Sequence, residues 1–284
     1  MKQSILNPIR KLLRNKISES ILYFLASKLN AQRFVSKLAP GNNLYKIDSL
    51  RFTKKNGINY ALDISDYQHW IIYFGITKDD PIGLFELVQK GDTIIDIGSN
   101  IGQTAMTFAK IAGEQSMVYG FEPDPVNYSK AMENLKLNSF KNIEILNLGL
   151  GSKSEELNLK INSPLNRGGN RIDKNKTKDS FIIKVEMLDS LFENKKIKKI
   201  DLIKIDVEGF ELEVLKGASS IIRNFKPKMF IEVDDTNLKE QGSSAKDLIE
   251  YLYTFDYFIV NSETKEIVKK ESDFRNSHFD IICS

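Results

Sequence analysis

The chain has 284 residues, 41% hydrophobic and 28% charged, which suits a globular protein of one large domain with an appendage. Its net charge of +3 gives no basis for a nucleic-acid partner. One cysteine, Cys283, and two histidines, His69 and His278, exclude an intrachain disulfide, a thiolate zinc site and a His-rich metal site, and fit a reducing, cytoplasmic compartment.

The first 40 residues carry Lys2, Arg10, Lys11, Arg14, Lys16, Lys28, Arg33 and Lys37 against Glu19 alone, a local net charge of +7. Arg10, Lys11, Arg14 and Lys16 interrupt any signal-peptide core, and no apolar run reaches the roughly 20 residues of a membrane span. Ile5, Ile9, Leu12, Leu13, Ile17, Ile21, Leu22, Leu25 and Leu29 recur at steps of three and four. This spacing predicts an amphipathic helix or helix pair over residues 1–43, ended by Pro40-Gly41-Asn42. Two roles are open for it. It packs on the main domain or on a second subunit of a homo-oligomer, or it rests on an anionic membrane as a peripheral contact at the inner face.

Residues 44–80 form the next segment. Tyr45 to Phe52 and Ile58 to Ile64 flank Lys55-Asn56-Gly57 and read as a hairpin. Asp66-Tyr-Gln-His-Trp-Ile-Ile-Tyr-Phe74 is dense in aromatics, which suits core or a lid over a neighbouring site. From residue 81 to 284 strand and helix alternate. A helix is expected at 81–90, a strand at 93–97, a helix at 101–112, a strand at 117–121, a helix from Asp124-Pro125 to about 138, and a strand at 143–148. A hairpin pair follows at 156–162 and 180–186, joined by a long polar connection. Then come a strand at 201–206, a helix from about 210, a strand at 228–233, a helix at 244–255, and strands near 256–260 and 279–283. Such alternation argues for a mostly parallel sheet with helices on both faces.

In an open α/β sheet a ligand sits outside the carboxyl ends of the strands. Strand 93–97 runs into Gly98-Ser99-Asn100-Ile101-Gly102, and strand 117–121 is followed by Glu122, 26 residues beyond Asp96. That is one βαβ unit holding a nucleoside by its ribose. The pattern is G-x-x-x-G, without the extra glycine a pyrophosphate needs, so a nucleoside cofactor lacking phosphate fits: S-adenosylmethionine. Glu122 suits the ribose hydroxyls, Gly98 a close backbone approach, Gly102 tight helix packing, and the amides near residues 100–102 the methionine carboxylate. Asp96 suits the cationic end of the methionine tail, and Asn147 the adenine edge. Further along, Asp206, Glu208, Glu232, Asp234 and Asp235 stand at the ends of two more strands.

The stretches Asp96-Ile-Gly-Ser-Asn-Ile-Gly102, Phe121-Glu-Pro-Asp124, Leu188-Asp-Ser-Leu191 and Ile203-Lys-Ile-Asp-Val-Glu-Gly-Phe-Glu-Leu-Glu-Val-Leu-Lys-Gly217 resemble the FkbM family of S-adenosylmethionine-dependent methyltransferases. The family usually has Ala where Ser99 stands. The resemblance runs over about residues 80–235. It implies the class I methyltransferase sheet, seven strands in the order 3-2-1-4-5-7-6 with the seventh antiparallel. It also implies methyl transfer to a hydroxyl of a sugar, glycan or secondary metabolite. A hydroxyl needs a base or a metal to take its proton. Asp206, Glu232 and Glu208 are the catalytic candidates, and Asp206, Glu232 and Asp234 a candidate Mg²⁺ set. A nicotinamide-dependent oxidoreductase and a non-catalytic interaction module are the alternatives. The missing G-x-G-x-x-G and Tyr-x-x-x-Lys oppose the first, and the acidic rim opposes the second.

Overall fold

A computed structural model describes residues 3–29, 31–76, 81–193, 195 and 197–284. The chain divides into two compact units, residues 1–80 with 163–168, and residues 81–162 with 169–284. Segments 1–43 and 44–80 thus form one unit.

The first unit opens with three helices where the sequence suggested one or two: α1 (Gln3–Leu12), α2 (Lys16–Lys28) and α3 (Gln32–Leu38). The break after α1 is fixed by Asn15, whose side chain accepts the Ser18 amide and caps α2. Strands β1 (Leu50–Lys55) and β2 (Ile58–Asp63) pair antiparallel. Their turn is Asn56-Gly57, both at positive φ (49° and 79°), the conformation a two-residue hairpin turn requires. The expected strand from Tyr45 starts only at Leu50, because the chain turns at Asp48 with φ 66°. The aromatic stretch is helix α4 (Tyr67–Phe74), capped by Asp66 and closed by Gly75 at φ 63°. His69, Trp70, Ile71, Ile72, Tyr73 and Phe74 are buried, and the Trp70 indole N–H donates to the Pro40 carbonyl at 2.7 Å. His69 Nδ1 accepts the Asp63 amide at 2.9 Å, a structural use of that ring.

The second unit contains β3 (Thr93–Ile97), α5 (Gln103–Ala112), β4 (Met117–Phe121), α6 (Pro125–Lys136) and β5 (Ile143–Leu146). It continues with β6 (Gly149–Leu150), β7 (Glu155–Lys160), β8 (Arg171–Ile172), β9 (Ser180–Glu186) and α7 (Leu188–Phe192). Then come β10 (Leu202–Ile205), α8 (Glu211–Gly217), α9 (Ser219–Phe225), β11 (Lys228–Asp234), α10 (Asp235–Glu240), α11 (Ala245–Tyr253), β12 (Ile259–Asn261) and β13 (His278–Cys283). Seven strands make one sheet in the order β5-β4-β3-β10-β11-β13-β12. All run parallel except β13, which is antiparallel to both neighbours. This is the class I methyltransferase order and direction. A smaller sheet, β6-β9-β7-β8, stands beside it.

The main sheet is buried on both faces, so its central strands read as apolar runs rather than alternations. Ile95, Ile97, Ile203, Ile205, Ile231 and Val233 pack on one face, and Ile94, Val118, Leu202 and Phe230 on the other. Three charged residues interrupt these runs, Asp96 on β3, Lys204 on β10 and Glu232 on β11, and the parallel register sets the first two opposite each other. Three boundaries depart from expectation. The helix expected at 81–90 is only a 3₁₀ turn, Phe85–Leu87, between Gly83 and Gly91 at φ 85° and 78°. The strand expected at 143–148 ends at Leu146, and Gly149-Leu150 joins the smaller sheet instead. The helix from 210 is divided between Gly217 and Ser219; a Cβ on Gly217 would lie 1.9 Å from the Gly151 carbonyl oxygen.

Candidate active site

The carboxyl ends of β3, β4, β10 and β11 bring the acidic residues to one rim of the second unit. Asp96, inside β3, is fully buried, and among the described residues neither carboxylate oxygen receives a hydrogen bond. Its nearest cation is Lys204 Nζ, 3.6 Å from Oδ1, an ion-pair separation. Burial holds Asp96 above the usual carboxylate range, opposed by Lys204. Lys204 also lies 3.2 Å from Asp206 Oδ2 and donates to the Gly98 carbonyl at 2.9 Å. Burial alone lowers an ammonium, but Asp206 and Asp96 outweigh it and hold Lys204 above its ordinary value.

After β3 the chain makes a tight turn. Gly98 sits at φ 79°, and a Cβ there would lie 1.9 Å from the Asp206 carbonyl oxygen. The backbone at the end of β10 thus requires glycine there. Ser99 is buried with its hydroxyl unpartnered. Asn100 takes φ 48°, and its amide donates to Glu122 Oε2 at 2.8 Å. Gly102, at φ 78°, caps α5 with its amide on the Ser99 carbonyl at 2.8 Å; a Cβ there would meet Ala131 at 3.4 Å. Helix α5 consequently begins at Gln103, and the Asn100 and Gly102 amides are already engaged, which narrows the expected carboxylate cradle.

Glu122 is buried, with Oε1 accepting the Asp124 amide at 2.9 Å and Oε2 the Asn100 amide. The Asn127 side chain also hydrogen-bonds this carboxylate. Burial pushes this carboxyl up to about 7, and those two amides oppose the shift. Asn147 donates to the Glu122 and Pro123 carbonyls at 2.8 and 3.1 Å, so its Nδ2 braces the loop after β4. Asp124 caps α6 as the sequence suggested, and also accepts from Asn170 at 2.7 Å.

On the other side of the rim Asp206, Glu208 and Glu232 each present an oxygen within 4.8 Å of the others. Glu208, at φ 56°, accepts from Asn237 at 3.0 Å and lies 3.6 Å from Arg171. Glu232 Oε1 bonds His278 Nε2 at 3.1 Å. Burial, then the neighbouring Glu232 and Asp206 charges, push Glu208 up to about 7; burial and Asp206 do the same to Glu232. The hydrogen bond to Glu232 raises His278 to about 9. Asp234 is not in this set. Its Oδ1 accepts the Thr236 and Asn237 amides and caps α10, so Glu208 takes the place the sequence gave to Asp234. Asp235 is turned away, accepting the Ala245 and Asn276 amides. Lys204, His278 and Arg171 were not singled out from sequence, although Lys204 lies within one of the motifs.

These shifts give the second unit a signed pH dependence. Glu122, Glu208 and Glu232 hold protons more tightly when folded than at their ordinary 4.5, so their contribution is full below that value and is lost as pH rises through about 7. His278 adds a contribution that is full below 6.5 and lost through about 9. Thermal melts should therefore show a melting temperature falling from pH 5 to pH 9; a rise over that window would contradict the crowding of these groups.

The family model described as the methyltransferase FkbM domain matches residues 96–259. The chain belongs to the FkbM methyltransferase family. Hexuronic acid methyltransferase AglP of Haloferax volcanii is 34% identical over 141 residues, 50% of this chain and 56% of that protein. Methyltransferase sdnD of Sordaria araneosa is 32% identical over 195 residues, 57% of this chain and 74% of that protein. The FkbM chain thus spans little more than half the length of the first of these relatives. The crystal structure of methyltransferase FkbM from Methylobacillus flagellatus KT aligns over 70% of this chain and 44% of that one, with a TM-score of 0.45 and 19% identity. Family membership goes against the nicotinamide reading of the fold.

Proposed function

We propose that this protein transfers a methyl group from S-adenosylmethionine to a hydroxyl oxygen of a sugar, glycan or secondary metabolite. The observation that carries the reading is the pair of buried carboxylates on neighbouring strands, Asp96 with neither oxygen hydrogen-bonded among the described residues and Glu122 held beside the Asn100 turn by the Asn100 and Asp124 amides. An ammonium-bearing tail and a ribose diol fit these two groups. When bound, S-adenosylmethionine supplies an electrophilic methyl on a sulfonium. Glu122 holds the ribose hydroxyls, Asp96 faces the ammonium, and Lys204 keeps Asp96 from standing as a lone buried charge. Glu232, pushed up to about 7, takes the acceptor's proton, with His278 fixing its carboxylate. Asp206 and Glu208 orient the hydroxyl for in-line attack. A sugar acceptor agrees with the name of the archaeal relative, a hexuronic acid methyltransferase.

Calorimetry tests the cofactor half of this reading. The wild type should bind S-adenosylmethionine, and Glu122→Ala should weaken it by roughly 1.5–3 kcal/mol, the worth of hydrogen bonds to a charged acceptor. Equal affinities would remove Glu122 from the site. A finer reading adds Mg²⁺, with Asp206, Glu208 and Glu232 as oxygen ligands. It requires that a chelator abolish turnover, that Mg²⁺ restore it, and that Mg²⁺ raise the melting temperature more at pH 8 than at pH 5. A second finer reading, contact of residues 1–40 with lipid, draws its support from the surface of the first unit.

A further inference from the structure

Helix α2 is apolar on two faces, and the fold covers one of them. Glu19, Leu22 and Ala26 are buried. On the opposite face Ile17, Ile21 and Phe24, spaced by four and three residues, are 76%, 54% and 54% exposed. Leu12 at the end of α1 is 78% exposed, and Phe34 on α3 is exposed as well. Single exposed apolar side chains are ordinary, but a stripe along a helix asks for a partner.

Charge says which partner. Residues 1–62 hold twelve Lys and Arg against two acids, Glu19 and Asp48. Glu19 is spent internally, its two oxygens taken by Arg51 at 2.8 and 3.2 Å. Lys11, Lys16, Arg33 and Lys37 are exposed on the same three helices, and Arg14 is exposed between the first two. We infer that the outward face of α1 to α3 docks on an anionic lipid bilayer, with Ile17, Ile21 and Phe24 in the headgroup boundary and the basic side chains against lipid phosphates. A second copy docked through the same face would set one cationic face against another. A nucleic acid would leave the Ile and Phe stripe without a partner. The contact is peripheral, since among the described residues no helix is long and apolar enough to cross a membrane.

This inference does not depend on the methyl-transfer reading, because vesicle binding needs neither cofactor nor acceptor. Flotation of the full chain with phosphatidylcholine vesicles containing about one-third phosphatidylserine, at low salt, tests it against pure phosphatidylcholine. The chain should float with the anionic vesicles only, and less as salt is added. Ile17→Ser/Ile21→Ser/Phe24→Ser should abolish flotation with an unchanged melting temperature, since all three side chains face outward. Lys11→Gln/Lys16→Gln should weaken binding by roughly thirtyfold, from about 1 kcal/mol per basic residue at such a surface. The inference is overturned if the wild type stays in solution with anionic vesicles at low salt, or if the triple Ser variant floats as well as wild type. It is equally overturned if sedimentation shows a dimer that the triple variant dissociates, for then the stripe joins two copies.

Discussion

Glu232→Gln is expected to lower turnover by about 10²–10⁴-fold, the usual worth of a positioned general base, while leaving S-adenosylmethionine affinity within about twofold of wild type. The split follows from geometry. Glu232 lies at the end of β11 with Asp206 and Glu208, whereas the cofactor-side groups Asp96 and Glu122 belong to β3 and the end of β4. Gln keeps the volume and can still meet His278, but it cannot take a proton. Asp206→Asn should also lower turnover, because in the proposed mode Asp206 orients the acceptor hydroxyl. In the wild type kcat/KM should rise with pH through about 7, where Glu232 becomes ionised, and that limb should vanish in Glu232→Gln. Isothermal titration and a methyl-transfer assay on the true acceptor read the two quantities separately. Near-wild-type turnover in Glu232→Gln would assign the proton to another group, and chelator-sensitive turnover in the wild type would assign the cluster to Mg²⁺.

What was legible in the sequence was whatever local pattern determines. The alternation of strand and helix announces a sheet covered on both faces, and Asp124-Pro125 announces a helix start, because periodicity and capping act within a few residues. The family-specific motifs supplied the strand order, and the sheet carries it. What was not legible depends on pairing across the sheet. His278 reaches Glu232 only because β13 runs antiparallel to β11, aligning Asp234 with His278 and Glu232 with Asp280. Nothing near residue 278 signals that. The choice between Glu208 and Asp234 turned on a backbone detail, a left-handed Glu208 against an Asp234 bent back to cap α10. The sequence marks Gly98 for a close backbone approach to a ligand; the crowding that the fold adds there comes from Asp206, more than a hundred residues away. In the first unit, helical spacing identified the apolar positions without saying which of the two faces of α2 the fold would cover.

Lys204→Met should destabilise the second unit by about 3–5 kcal/mol at neutral pH, the cost of breaking a buried ion pair from one side. The ammonium is the counter-charge of Asp96, which is fully buried and receives no hydrogen bond among the described residues, and it also meets Asp206. Met fills similar volume, so the loss would be electrostatic rather than a cavity. Without Lys204, burial raises Asp96 further, and the chain can relieve the penalty by protonating it. The deficit relative to wild type should therefore shrink as pH falls and grow as pH rises. The double variant Lys204→Met/Asp96→Asn removes both charges and should recover much of the stability, giving a coupling energy well above the scatter expected of independent sites. It should not recover cofactor binding, because in the proposed mode Asp96 faces the ammonium of S-adenosylmethionine. Urea denaturation of the four species at two pH values completes the cycle. A deficit below about 1 kcal/mol, or one independent of pH, would mean that Lys204 does not balance Asp96. Its place between β3 and β10 would then answer to Asp206 and the Gly98 carbonyl alone.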